Sequence, residues 1–465
     1  MKKTTITLIT LLIIISNVKG QPETIWQMYL DGSISKWAYS GGDEFNGTEL
    51  DLTKWDECYE WGCDQNGPNG YFKKGSSHHI LDNGILKLVT KYEPGYYEIW
   101  NWDANGIFYP TLEHRNYTSG MIVAKQRFKY GLFEIRFKLP VGQGLWPAFW
   151  LYGVNSGDPN DNEEEFDIFE YLGDTPNRIH INTHLNDDMD PNYWLTANGN
   201  FSDGFNTMMG EWGPNFFAWY LNGQEFDFLF RNFTQQAFLI ANLGVANNCP
   251  AEFCPGPDNT TPLPAYFEID YIRVWTRLEC DQDVNISNYS QGETDPTVIT
   301  GRNINITNLN LGPGQTLKLI ATNEIVFEPN PPTQGNFEVK IVDCPVPPVN
   351  KKEENFFNQS DSALKIISAR NPDSSNENSS IENPVILYTK IFPNPTDGKI
   401  TIEFEGKIER NIKIELINSA GQIVFSKDNI IEKTLNIDIS KLPKGIYILK
   451  GVFGNNTISD KIIFN

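Results

Sequence analysis

No long stretch of this sequence carries helical periodicity; apolar and polar residues alternate instead. Gly84–Val89, Gly131–Lys138 and Phe267–Trp275 each place every second apolar side chain on one face. That is the pattern of half-buried antiparallel strands, so an all-β sandwich is expected. A chain of 465 residues has room for two to four domains. All 12 tryptophans fall between Trp26 and Trp275, which marks a first domain over residues 21–278. Residues 279–346 read as a small β module. Residues 347–388, rich in Ser, Asn, Glu, Lys and Pro, bury too little apolar area to order themselves and read as a disordered linker. Strand patterns return over residues 389–465, as in Lys399–Phe404 and Ile412–Ile417, and predict a compact β-sandwich.

Residues 1–20 read as a signal peptide: Lys2 and Lys3, an apolar run from Ile6 to Ile15, then Val18 and Gly20 at a cleavage site. The run is too short to span a bilayer, and no membrane span is expected later. Six cysteines suit an oxidising compartment. Cys58 with Cys63, Cys249 with Cys254, and Cys280 with Cys344 are the expected pairs, although sequence alone leaves connectivity open. A zinc site is the rival, and it lacks a paired CxxC. The net charge of -22 repels polyanions, so a nucleic-acid partner is not expected. A monomer is expected.

The segment that carries chemistry is Glu163–Tyr171, with sequence EEEFDIFEY. On a regular strand Glu165 and Asp167 share a face and Glu170 points away. One β-bulge after Asp167 returns Glu170 to that face. Two carboxylates flanking one groove suit retaining glycoside hydrolysis, which needs them about 5–5.5 Å apart; two strand steps cover about 6.6–7 Å of backbone. Glu165 is expected as nucleophile, Glu170 as general acid/base, and Asp167 as the acid between them, tuning both. Acid runs are more often solvated faces or calcium sites, but here the acids alternate with Phe166, Ile168 and Phe169, which need a core. The aromatic strand Gly144–Leu151 offers Trp146 as a platform for sugar rings.

These residues resemble glycoside hydrolase family 16, whose signature Glu-x-Asp-x-x-Glu on a bulged strand is matched by Glu165, Asp167 and Glu170. Asp43–Gly47, Tyr117–Ile122, Tyr130–Arg136, Glu211–Trp212 with Tyr220–Gly223, and Phe267–Trp275 are similar to further family strands. The resemblance covers residues 35–277. It implies a β-jelly-roll with a sugar cleft, a retaining double displacement without a catalytic cofactor, and the same two glutamate roles. It also implies substrate contacts at Trp146, His184 and Trp212, and a structural Ca²⁺ held by Asp270. His180 is expected to be structural. Ile391–Pro395, Asn418–Gln422, Leu442–Tyr447 and Lys461–Ile463 resemble a C-terminal sorting domain of type IX secretion, which implies export through the periplasm, the secretion machinery as partner, and a secreted or cell-surface protein.

Gly142–Leu151 resembles the β-1,3-glucanase branch of the family, so a β-1,3- or mixed-linkage glucan is the expected substrate. That branch's Trp-Gly-Asn-Asn-Glu segment is replaced by Trp55–Phe72 with its Cys58/Cys63 loop. The departure keeps a β-galactanase of agarase, porphyranase or carrageenase type as an alternative. A non-enzymatic glycan binder and a transglycosylase are the others.

Overall fold

The computed structural model describes residues 22–464 except 29–33, 66–68, 103–107, 154–163, 187, 251–252, 291–296, 314, 329–334, 346–363, 370–387, 393–395, 406–411, 419–421, 431–433 and 454–455. The expected signal peptide lies outside the described residues. No helix occurs among them. Two large sheets of eleven and nine strands form a sandwich. Their facing sides interdigitate in one core that includes Phe133, Phe137, Phe149, Phe166, Phe169, Trp219 and Phe267. Each of these side chains is essentially fully buried, an effect of about 1.5–3 kcal/mol apiece.

The nine-stranded sheet holds the carboxylates. Its central strand, Glu164–Glu170, pairs antiparallel with Leu145–Gly153 on one side and with Arg178–Leu185 on the other. Beyond Leu145–Gly153 comes Ala237–Val245, and beyond Arg178–Leu185 comes Tyr193–Ala197. The eleven-stranded outer sheet carries Asn206–Gly213, Phe216–Leu221, Gly131–Lys138 and Ala265–Arg277. All three expected disulfides form.

Residues 279–346 have a different architecture. Their strands Val284–Ser287, Val298–Thr307, Thr316–Glu328 and Asn336–Ile341 pair in parallel, in register steps of about twenty residues. Asparagines stack along the outside, with Asn305 Nδ2 donating to Asn285 Oδ1 at 2.9 Å and Asn308 Nδ2 to Asn288 Oδ1 at 2.8 Å. Ile304, Ile306, Leu317 and Leu319 fill the inside. This is a short parallel stack of repeats.

The expectation of a disordered linker over 347–388 is corrected in part. Ile366–Ala369 pairs antiparallel with Tyr193–Ala197 and becomes the edge strand of the cleft sheet. Leu364 and Ile366 pack against the main core. Two apolar side chains and a free strand edge outweigh a polar average composition. The C-terminal unit sets a three-stranded sheet beside a four-stranded one, with Ile402, Ile414, Leu416, Leu449 and Ile462 wholly buried between them.

Candidate active site

A bulge sits where the carboxylate strand requires it. Opposite Leu145–Gly153 the partners run Tyr152 to Glu165 and Trp150 to Asp167, then skip to Phe149 with Phe169 and Ala148 with Glu170. Ile168 is the extra residue. On the other side Glu165 faces His184, Asp167 faces Asn182 and Glu170 faces His180. Glu165, Asp167 and Glu170 therefore line one open cleft of about 420 Å³, together with Tyr59, Trp146, Trp150 and Asn242. Phe166, Ile168 and Phe169 point into the core.

The outer sheet holds the bulge from behind. Trp219 Nε1 donates to the main-chain oxygen of Asp167 at 3.0 Å, satisfying a carbonyl beside the interrupted ladder. At Gly210 a Cβ would sit 2.6 Å from Ile168 Cγ1 and 2.7 Å from the Phe166 ring, so only glycine lets the second sheet approach this closely. Glu164, although next to Glu165, faces elsewhere. Its buried carboxylate accepts from the backbone N–H groups of Thr234 and Gln235 at 2.8 Å and anchors the strand's start.

The two ends of the strand have different surroundings. Glu165 keeps 26 % of its side chain exposed to the cleft. Its carboxyl lies among Asp167 and His184, with one ligand-capable atom from each within 4.8 Å of the others. Burial, then the charge of Asp167, push the Glu165 carboxyl well above the usual glutamate range, while His184 pulls it down. His184 Nε2 lies 3.1 Å from Asp167 Oδ2 and 3.8 Å from Glu165 Oε1. Glu170 is more enclosed. Trp146 Nε1 donates to its Oε1 at 3.1 Å, and His180 Nδ1 lies 3.1 Å from its Oε2. His180 Nε2 lies 3.0 Å from Asn192 Oδ1. The imidazole therefore bridges Glu170 and Asn192.

The structure thus brings Glu165, Asp167, Glu170, Trp146 and His184 together and corrects three expectations. Trp212 is not at the cleft. It sits on the outer sheet, buried against Tyr130, Phe217 and Phe233, because its position in that strand turns the ring into the core. Asp270 lies on the same outer sheet, with Arg136 bound to its carboxylate. A guanidinium already neutralises that carboxylate, and the only described group of three or more metal-ligating side chains is the one around Glu165. In this arrangement the Asp270 carboxylate is taken by Arg136 rather than left open for a Ca²⁺. His180, expected to be structural, contacts Glu170. Tyr59, Trp150, Asn242 and Trp219 were missed. Their roles depend on sheet register and on which loop folds over the cleft, and no local pattern signals either.

Fold and site together define a jelly-roll glycosidase with paired carboxylates in an open cleft. Residues 96–243 match the profile described as Glycosyl hydrolases family 16, and residues 390–465 match the Secretion system C-terminal sorting domain. The chain therefore carries a family 16 glycoside hydrolase domain joined to a sorting domain, and it is a secreted or cell-surface retaining O-glycosyl hydrolase. It is 29 % identical over 273 residues to a glucan endo-1,3-beta-glucosidase of Cryptopygus antarcticus, covering 52 % of this chain and 92 % of that one. It is 27 % identical over 276 residues to a beta-glucanase of Rhodothermus marinus, covering 52 % and 86 %. Among solved structures it is similar to an endo-beta-1,3-glucanase from Pyrococcus furiosus, with 26 % identity, 56 % and 99 % coverage and a TM-score of 0.43.

Proposed function

We propose that this chain cleaves β-1,3- or mixed-linkage glucan internally, with Glu165 as nucleophile and Glu170 as general acid/base. The observation that carries this reading is the bulge at Ile168, which aims both glutamates into one cleft and gives them unlike neighbours. In the first step a Glu165 oxygen attacks the anomeric carbon and the glycosidic C–O bond breaks. The proton of Glu170 passes to the departing sugar oxygen, leaving a glycosyl ester on Glu165. In the second step Glu170, now a carboxylate, takes a proton from water. The water oxygen attacks the same carbon and the ester bond breaks, which restores both groups and retains configuration. Asp167 and His184 hold Glu165. The positive charge that develops on the sugar ring favours the ionised form of Glu165 in the transition state and offsets its raised proton affinity. Trp146 orients Glu170 through its N–H and offers its ring to the substrate, and no catalytic cofactor enters.

We assign catalysis to residues 21–278, the repeat stack to 279–346 and sorting to 389–465. The test is a panel of laminarin, mixed-linkage glucan, agarose, porphyran and carrageenan with product sizing. Oligosaccharides from the glucans alone are expected. Release from agarose, porphyran or carrageenan alone would transfer the substrate to galactan. No release from any of them would leave a glycan binder.

A further inference from the structure

Beside the cleft stands a second aromatic surface, built from the Cys58–Cys63 loop and the long hairpin of Ile85–Trp102 with Phe108–Ser119. Tyr59 lines the cleft and lies near enough to Glu165 to feel its charge. Its ring is edge-on to Trp150 at 6.2 Å and face-to-face with Trp61 at 4.7 Å and 5°. Trp61 also meets Tyr152 at 5.6 Å, yet it remains 40 % exposed. The next residue, Gly62, lies under Trp100: a Cβ there would be 3.4 Å from the indole Cδ1. Trp100 is 39 % exposed. An aromatic path therefore leaves the cleft through Tyr59, continues to Trp61, and reaches Trp100 on the hairpin.

The path is held rigidly. The disulfide closes the loop, and Gly62 N–H donates to Tyr59 O at 3.2 Å. Arg115, in the hairpin, binds Asp64 just after the loop and Glu113 on its own strand. Tyr97 of the hairpin stacks on Tyr71 at 4.7 Å. Partly exposed indoles fixed at the mouth of a sugar cleft present flat apolar faces at low entropic cost, which matches the apolar faces of pyranose rings.

The geometry points to a sugar-binding extension of the cleft: Trp61 and Trp100 hold units of the same polysaccharide chain beyond those at the carboxylates. This deepens the reading of the chain as a glucanase and rests on it. The occupant is a neutral β-glucan, since the wall supplies ring faces and the Glu98 carboxylate, which accepts from Trp100 Nε1 at 3.0 Å, would repel a sulfated chain.

The experiment uses the full chain and its Trp61→Ala, Trp100→Ala and Trp61→Phe variants, assayed on laminarin and on laminaritetraose. The alanine variants are expected to raise KM on laminarin by up to about tenfold with kcat unchanged, the upper end for one aromatic contact. Tetraose kinetics should move less than about twofold, and Trp61→Phe should recover most of the laminarin affinity. Equal effects on both substrates, or none on either, overturn the proposal. Binding of laminarin in affinity gels, measured in a Glu165→Gln background, separates the two readings. If wild type hydrolyses nothing while Trp61→Ala still abolishes retardation, the glucanase reading fails and the wall stands. If hydrolysis is present and retardation is unaffected by either alanine, the wall fails alone.

Discussion

Glu165 and Glu170 are the same residue type on one strand, five positions apart, yet each end of that strand makes a different acid. Glu165 shares its space with a second carboxylate and an open cleft; Glu170 is enclosed by an indole N–H and an imidazole. Burial and then a like charge act on the first, and contacts to an indole N–H and an imidazole act on the second. The division of labour between nucleophile and proton carrier therefore lies in the neighbours on adjoining strands.

Removing either glutamate tests the division most severely. Glu165→Ala and Glu170→Ala should each lower kcat on an activated aryl glycoside or on laminarin by about 10²–10⁴-fold or more. Azide should rescue both, with opposite stereochemistry: Glu165→Ala should yield the inverted glycosyl azide and Glu170→Ala the retained one. The same azide anomer from both variants would erase the distinction between the two ends. His180→Ala comes next. Loss of the imidazole 3.1 Å from Glu170 should lower kcat about tenfold and leave the acidic limb of the pH profile in place.

The acidic limb belongs to the other end. Because Glu165 binds its proton more tightly than an ordinary glutamate, kcat/KM should begin to rise only well above pH 4.5. Asp167→Asn removes a like charge and should move that limb to lower pH; an unmoved limb would detach Asp167 from the nucleophile. The smallest effect is on stability. A carboxyl with a raised folded-state pKa binds more protons folded than unfolded, so stability falls as pH rises from about 4.5 through the folded value. Glu165→Gln should therefore raise Tm by roughly 2–4 °C at neutral pH and by nothing below pH 4.5, as calorimetry at two pH values would show.

Two other regions show how far a period-two reading reaches. In the sandwich it located the strands. In residues 279–346 it found strands and missed their parallel stacking, although the signal was present: Asn285-Ile286-Ser287-Asn288 returns twenty residues later as Asn305-Ile306-Thr307-Asn308. That twenty-residue period is the mark of a repeat stack. The strand at Ile366–Ala369 was hidden for the opposite reason. Four residues in a polar stretch fold only because Tyr193–Ala197 offers an open edge, and that edge exists only in the assembled sheet.

The sequence by itself determined the all-β class and the three acids of the bulged strand, and it pointed to the close pairs Cys58–Cys63 and Cys249–Cys254. Alternation, short cysteine spacings and one extra residue are local facts. Tertiary structure decided which aromatics and histidines serve those acids. Trp146 and Trp212 look alike in sequence; one strand faces the cleft and the other faces the core, and that choice is made by packing one sheet on another. Trp219 and Gly210 support the bulge from the second sheet across a core that no neighbouring residue in the chain encodes.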